Sequence, residues 1–248
     1  QAVCNPSRAS MMTGLRPDTM RIWDLPTHLR EQKPEVVTLP QHFKNHGYFT
    51  QGIGKLFHNW RQEIQGDPSS WSVPQVMHYA THGSDTPQVK GKMPPGLMKN
   101  PKCEKRDVPD EAYFDGRIAA LAIKALGELK RKKEPFFLGV GFWKPHAPFN
   151  APKKYWDLYE DCDHLDPEIG TLDYDQQDNH AKRILDANDW HKATIDKQDI
   201  RNARLAYFAN VSYIDDKIGE ILEALDSVGF GEDTAIVFVS DHGDMLGE

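Results

Sequence analysis

"DEAYFDGRIAALAIKALGELKRKKEPFFLGVGF", residues 110–142, carries two different periods in one stretch. Phe114, Ile118, Leu121, Ala122, Ala125 and Leu129 recur every three or four residues, which puts them on one face of a helix. Asp110 stands where it can cap the start. Lys130, Arg131, Lys132 and Lys133 close the helix with cations that suit the negative end of its dipole. At Pro135 the pattern changes. Residues 135–142 form a continuous apolar run of strand length, the mark of a strand covered on both faces. A helix that empties straight into such a strand is the repeating unit of an α/β fold.

The same alternation extends in both directions. "TLPQHFKNHGY" (38–48) predicts a short helix, with Thr38 and Gln41 at capping-box spacing and Gly47 at its end. "YFTQGIGK" (48–55) predicts a strand running into a Gly-Lys turn. A second long helix is predicted over about 199–227, with Ile214, Ile218, Ile221, Leu222 and Leu225 as its buried stripe and Gly229 just past its end. "TAIVFVS" (234–240) then predicts another buried strand. Residues 60–108 and 151–200 show no sustained period, and such long irregular segments tend to be functional. The chain lacks internal repeats and low-complexity segments. The expected fold is α/β, a mixed, mostly parallel central sheet with helices on both faces.

The 248 residues suffice for one large domain that buries roughly 70–75% of its unfolded surface. Charged residues make up 27% and mean hydropathy is −0.65. The formal net charge of −7 argues against non-specific nucleic-acid binding, which needs a basic face. No apolar run approaches the ~20 residues of a membrane helix. Three cysteines, Cys4, Cys103 and Cys162, are too few for a disulfide framework. Cys103 and Cys162 could pair or remain separate thiols. Gln1 opens the chain and "SDHGDMLGE" (240–248) closes it just after a strand-like run, so a piece of a longer protein, cut at both ends, is expected.

In open α/β sheets, ligands bind beyond the carboxyl ends of strands. Three polar clusters fall there: Lys55 with His58, Lys144 with His146, and Asp241 with His242. Lysine offers a fixed positive charge to an oxyanion, and histidine gives or takes a proton near neutral pH. Asp241 and His242 are ligand types for a divalent cation, although the pair alone could equally be a hydrogen-bonded turn. Cys4 opens "CNPSRASMMTGLR" (4–16). A cysteine-phosphatase loop needs an arginine six positions on, where Ser10 stands, and the surroundings of a papain-like cysteine are absent. Asn5 could cap a helix with Pro6 at its first position, running to Gly14.

Those thirteen residues resemble the sulfatase signature, Cys-x-Pro-Ser-Arg followed by Thr-Gly and a nearby Arg. "GKLFH", "FWKPHAPF", "YFANVSYIDDKIGEILEALD" and "TAIVFVSDHG" resemble further sulfatase segments in the family's order, and together they cover nearly the whole chain. The versions "CNPSR…TGLRPDT", "GKLFH" and "KPHAPF" are most similar to the iduronate-2-sulfatase branch and its bacterial relatives.

The resemblance implies an alkaline phosphatase/sulfatase-like fold, with residues 1–248 part of the N-terminal catalytic domain and the C-terminal subdomain absent. It implies a hydrolase of sulfate esters on sugars, a 2-O-sulfated uronate of a glycosaminoglycan among them. Cys4 would be oxidised to Cα-formylglycine by a formylglycine-generating enzyme or an equivalent maturase. Its hydrate would supply the attacking hydroxyl and one ligand to a Ca²⁺ that Asp241 and His242 also bind. Arg8 would hold the hydrate. Lys55 and His58 would contact hydrate and sulfate, with His58 a candidate base. Lys144 and His146 would face the ester oxygen, with His146 the candidate acid. The family's Asp-Asp metal motif precedes its signature cysteine and is not found here, so the metal site of this segment is expected to be incomplete. A periplasmic, secreted or lysosomal location is implied. The alternatives are a formylglycine-dependent phosphoester or phosphonate-ester hydrolase of the same superfamily, and a non-catalytic protein that binds sulfated glycans.

Overall fold

The computed structural model describes residues 1–58, 66–78, 103–165, 182 and 197–246. Most of the two irregular segments at 60–108 and 151–200, and any pocket they shape, lies outside the described residues. In chain order the elements are α1 (Cys4–Thr13), α2 (Pro17–Met20), α3 (Leu29–Gln32), α4 (Leu39–Asn45), β1 (Phe49–Gly54), β2 (Cys103–Arg106), α5 (Phe114–Lys132), β3 (Phe136–Gly141), β4 (Phe149–Pro152), α6 (Lys153–Trp156) and α7 (Lys197–Ser227). Short 3₁₀ turns link several of them.

Strands β1 and β3 pair in parallel, from Phe49 opposite Phe136 to Gly54 opposite Gly141. Parallel neighbours need a crossover, and α5 supplies it. The helix buries Phe114, Ile118, Ala122, Ala125 and Leu129, as its spacing predicts, leaves Leu121 half-buried, and adds Leu126. Each such Phe, Ile or Leu contributes roughly 1.5–3 kcal/mol. Strands β2 and β4 form a second parallel pair. The architecture is α/β with parallel ladders, as expected, although among the described residues the strands form two separate pairs.

Two strand expectations need correction. Residues 234–240 are not a buried strand: Val237 is 83% exposed and Phe238 78%. An apolar run reports what a chain can bury, and among the described residues no strand is paired alongside it. β3 is half-buried along most of its length, not covered on both faces, because its ladder has one partner.

Helix α4 begins as predicted. Thr38 accepts from the backbone of Gln41, and the Gln41 side chain returns to the Thr38 amide. Asp110 does not cap α5. Tyr113 holds that position without a side-chain bond, and Asp110 opens a 3₁₀ turn three residues earlier. Its carboxylate instead accepts from Lys217, from Lys154 at 3.0 Å and from Tyr155 at 2.9 Å. α7 buries Ile214 and Leu225 as expected, half-buries Ile218 and Ile221, and leaves Leu222 36% exposed; its buried face also takes in Ala206, Ala209, Tyr213 and Lys217. Tyr213 donates its hydroxyl to the Asp110 carbonyl and accepts from the Gly116 amide, tying α7 to the start of α5. Cys103 and Cys162 are both free thiols.

Lys217 is 2% exposed. Burial disfavours its charge, but bonds to Asp110 and Glu220 outweigh that and raise its pKa above the ordinary lysine value. Removing one partner of a buried pair leaves the other charge uncompensated. Asp110→Ala should therefore lower unfolding free energy by about 3 kcal/mol in urea titration. A loss under about 0.5 kcal/mol, ordinary for a surface site, would contradict that assignment.

Candidate active site

Helix α1 starts at Cys4, two residues earlier than expected, and its N-cap is Val3 with no side-chain bond. Asn5 is not a cap. Its amide donates to the carbonyls of Asp24 at 2.9 Å and Thr27 at 2.8 Å, which fastens the helix start to the following loop. Cys4 and Arg8 are four apart and share one helix face.

That face meets the far end of the chain. The Arg8 guanidinium donates through Nε to Asp241 Oδ2 at 2.8 Å and through Nη1 to the Lys55 carbonyl. Ser7 Oγ donates to the Asp241 carbonyl at 2.5 Å. His242 Nε2 lies 3.1 Å from Cys4 Sγ. Its Nδ1 lies 3.0 Å from the Gly243 carbonyl, which can only accept. In the neutral ring Nδ1 therefore carries the hydrogen, and Nε2 presents its lone pair toward Cys4 and Asp241.

Lys55 enters from the end of β1. Its amide donates to the Gly141 carbonyl at 2.7 Å. The strands close tightly here: a Cβ on Gly54, which has φ of 80°, would stand 2.1 Å from the Gly141 oxygen, and one on Gly141 would stand 2.1 Å from the Lys55 oxygen. Only glycine allows that approach. The ammonium of Lys55 is buried, 3.7 Å from Cys4 Sγ, and lies 5.7 Å from the centre of the Trp143 ring. Burial first, and then the Arg8 charge, lower its pKa from the ordinary lysine value. Burial would raise the Asp241 carboxyl, but the charge and hydrogen bond of Arg8 outweigh it and hold the pKa below the usual aspartate value.

His58 is buried within electrostatic reach of Lys55, Arg8 and His146. Burial chiefly, and then the Lys55 and Arg8 charges, push its pKa down to about 3. It is therefore a neutral imidazole at neutral pH. Between its ordinary 6.5 and about 3, the unfolded chain binds a proton that the folded chain refuses. Stability is thus full above about pH 6.5 and falls toward pH 3, by up to about 1.4 kcal/mol per pH unit. His58→Gln should remove that slope between pH 6 and 5 in urea titrations, and an unchanged slope would assign the acid sensitivity elsewhere.

The turn after β3 carries the last pair. His146 is half-buried, its amide donates to the Trp143 carbonyl at 3.0 Å, and its Nδ1 lies 2.6 Å from the Ala147 carbonyl. The Lys144 ammonium donates to the carbonyls of Pro148 at 2.5 Å and His146 at 3.4 Å, so it braces this turn. Cys4, Arg8, Lys55, Asp241 and His242 thus meet directly, with His58 and His146 around them. Sequence reasoning passed over Ser7, Trp143 and Asp115, which accepts the Trp143 amide at 2.6 Å. Apart from the signature, only the apolar strand ahead of Trp143 could have drawn attention to any of them.

The family model described as "Sulfatase" matches residues 1–248. This chain belongs to the sulfatase family. It is 37% identical to the iduronate 2-sulfatase of Homo sapiens, across all of this chain and 48% of that protein. It is 34% identical to a choline-sulfatase of Rhizobium meliloti, across 99% of this chain and 49% of that protein. The chain spans about half the length of the curated relatives it matches. The phosphonate monoester hydrolase of Agrobacterium radiobacter superposes with a TM-score of 0.67 at 20% identity, covering all of this chain and 54% of that structure, which shows the shared fold.

Sulfatases generally use a formylglycine and a divalent metal. The residues present suit part of such a metal site. Cys4, Asp241 and His242 bring one ligand atom each within 4.8 Å of one another. The lone pair of His242 Nε2 is turned inward, and its Nδ1 is held by a backbone carbonyl, the usual arrangement behind a metal-bound imidazole. Three donors are fewer than the six to eight oxygens of a Ca²⁺ site.

Proposed function

We propose that the protein containing these 248 residues hydrolyses sulfate esters of a sugar, with a 2-O-sulfated uronate of a glycosaminoglycan as the substrate class. The observation that carries this reading is the contact of Cys4 and Arg8 with Asp241 and His242, more than 230 residues away in sequence. The sugar assignment draws on the 37% identity to human iduronate 2-sulfatase.

Bound by residue 4, Asp241 and His242, a Ca²⁺ would supply positive charge against the sulfate oxygens. As the formylglycine hydrate made by a maturase, residue 4 would offer one hydroxyl for attack and a second whose deprotonation expels sulfate. Arg8 holds Asp241 in place and adds charge beside residue 4. Lys55, fixed by the tight end of β1, stabilises negative charge on the transferring group in a site with little water. His58 is the candidate base. Its pKa is held low by burial and by the Lys55 and Arg8 charges, and the bound anionic sulfate would offset those charges and raise its basicity so that it can accept a proton. His146 delivers one to the leaving alcohol.

Rates of the full-length, matured protein on a sulfated uronate, an aryl sulfate and an aryl phosphonate ester test the reading. A sulfate monoester and a phosphonate monoester each carry one negative charge, so the comparison reads the choice between sulfur and phosphorus and not the charge of the anion. Sulfate release should lead. Hydrolysis of the phosphonate ester alone would favour the phosphonate-hydrolase reading. Tight binding of sulfated glycan without hydrolysis would favour a binding protein. No helix among the described residues is long and apolar enough to cross a membrane.

A further inference from the structure

Asp115 sits in the first turn of α5, where a carboxylate suits the helix dipole from an exposed position. It is instead 0% exposed. Its Oδ1 accepts two successive amides of the turn after β3, from Trp143 at 2.6 Å and from Lys144 at 3.5 Å. A buried carboxylate is costly unless hydrogen-bonded, and bonds to a charged acceptor are about twice as strong as neutral ones. The carboxylate therefore does more than begin a helix. It fixes the backbone of the turn that holds His146, since the His146 amide in turn donates to the Trp143 carbonyl.

The base of this anchor is rigid. The Tyr213 hydroxyl bridges the Asp110 carbonyl and the Gly116 amide, and a Cβ on Gly116 would stand 2.2 Å from the Asp110 oxygen. The other end of the anchored peptide faces the site, where the Trp143 ring lies beside the Lys55 ammonium. One carboxylate thus holds the Trp143 and Lys144 amides directly, and the His146 amide is bonded to the Trp143 carbonyl of the same turn.

We propose that Asp115 positions the turn carrying Lys144 and His146, so that His146 is aimed at the leaving alcohol. This rests on the sulfate-ester reading for its chemistry. Asp115 is a positioning residue and touches no reacting atom. A misplacement of about 1 Å in a site can cost 10²-fold, which sets the scale of the effect.

The test uses Asp115→Ala and Asp115→Asn in the full-length matured protein, with circular dichroism and thermal melting to confirm folding. Asp115→Ala should lower kcat on a sulfated uronate roughly 10–100-fold, with KM changed less than about threefold. The loss on nitrophenyl sulfate should be much smaller, because a phenolate leaves without the proton. Asp115→Asn keeps an acceptor and loses the charge, so it should show the same selective loss at about a tenth of the size. If Asp115→Ala does not fold, Asp115→Asn alone decides. A folded variant with wild-type kcat on the sulfated uronate, or with equal losses on both esters, overturns the proposal. If the wild-type protein hydrolyses neither ester, the sulfate-ester reading fails and the anchor is read by amide hydrogen exchange. Trp143 and Lys144 should then exchange at least tenfold faster in the folded variants while β3 is unchanged, and unchanged exchange at both overturns it.

Discussion

Cys4→Ala in the full-length protein should abolish turnover, with a loss on the order of 10⁶-fold, the scale seen when a hydrolase loses its nucleophile. The side chain is buried at the start of α1, and alanine is a good helix former, so the fold should survive. The informative companion is Cys4→Ser. Serine has one hydroxyl and can accept the sulfuryl group once. Its ester then lacks a neighbouring hydroxyl to deprotonate, so release waits on water. Quenched-flow assays should show a burst of one alcohol per site and then a stall. Sustained turnover by Cys4→Ser would remove the need for a geminal diol, and sustained turnover by Cys4→Ala would remove residue 4 from the chemistry.

His146→Ala should discriminate between leaving groups. The His146 ring is held through Nδ1 by the Ala147 carbonyl, which leaves Nε2 as the atom that can hand over a proton. Sugar sulfates leave as alkoxides of high pKa and need that proton. Nitrophenyl sulfate leaves as a stable phenolate and needs it far less. Loss of the acid should lower turnover of a sulfated uronate by about 10²–10⁴-fold, with a much smaller loss on the aryl ester. Equal losses would assign His146 to sulfate binding. Lys144, bonded into its own turn, would then be the next residue to test.

Short-range chemistry was legible in the sequence, and long-range pairing was not. The Thr38–Gln41 cap and the stripe of α5 are set by neighbours three or four residues apart, and both appear as read. Asp110 has the right type and place for a cap, yet Lys217 lies 107 residues away and takes its carboxylate. Nothing in local spacing announces that partner. Likewise the apolar run at 234–240 predicts a buried strand, but burial depends on a neighbour that a period cannot supply. At the site, Cys4 and Arg8 were legible because one motif contains both. Ser7 meets Asp241 across 234 residues, and Asp115 meets Trp143 across 28, so those contacts emerge only when the chain is folded.

The most direct measurement is the mass of the peptide containing Cys4, taken from full-length, active protein made in a host with a formylglycine-generating system. The peptide should be lighter than its cysteine form by the change from thiol to aldehyde, and it should react with hydrazide probes. A peptide that remains a free thiol in fully active protein would contradict the assignment of residue 4 as the formylglycine nucleophile.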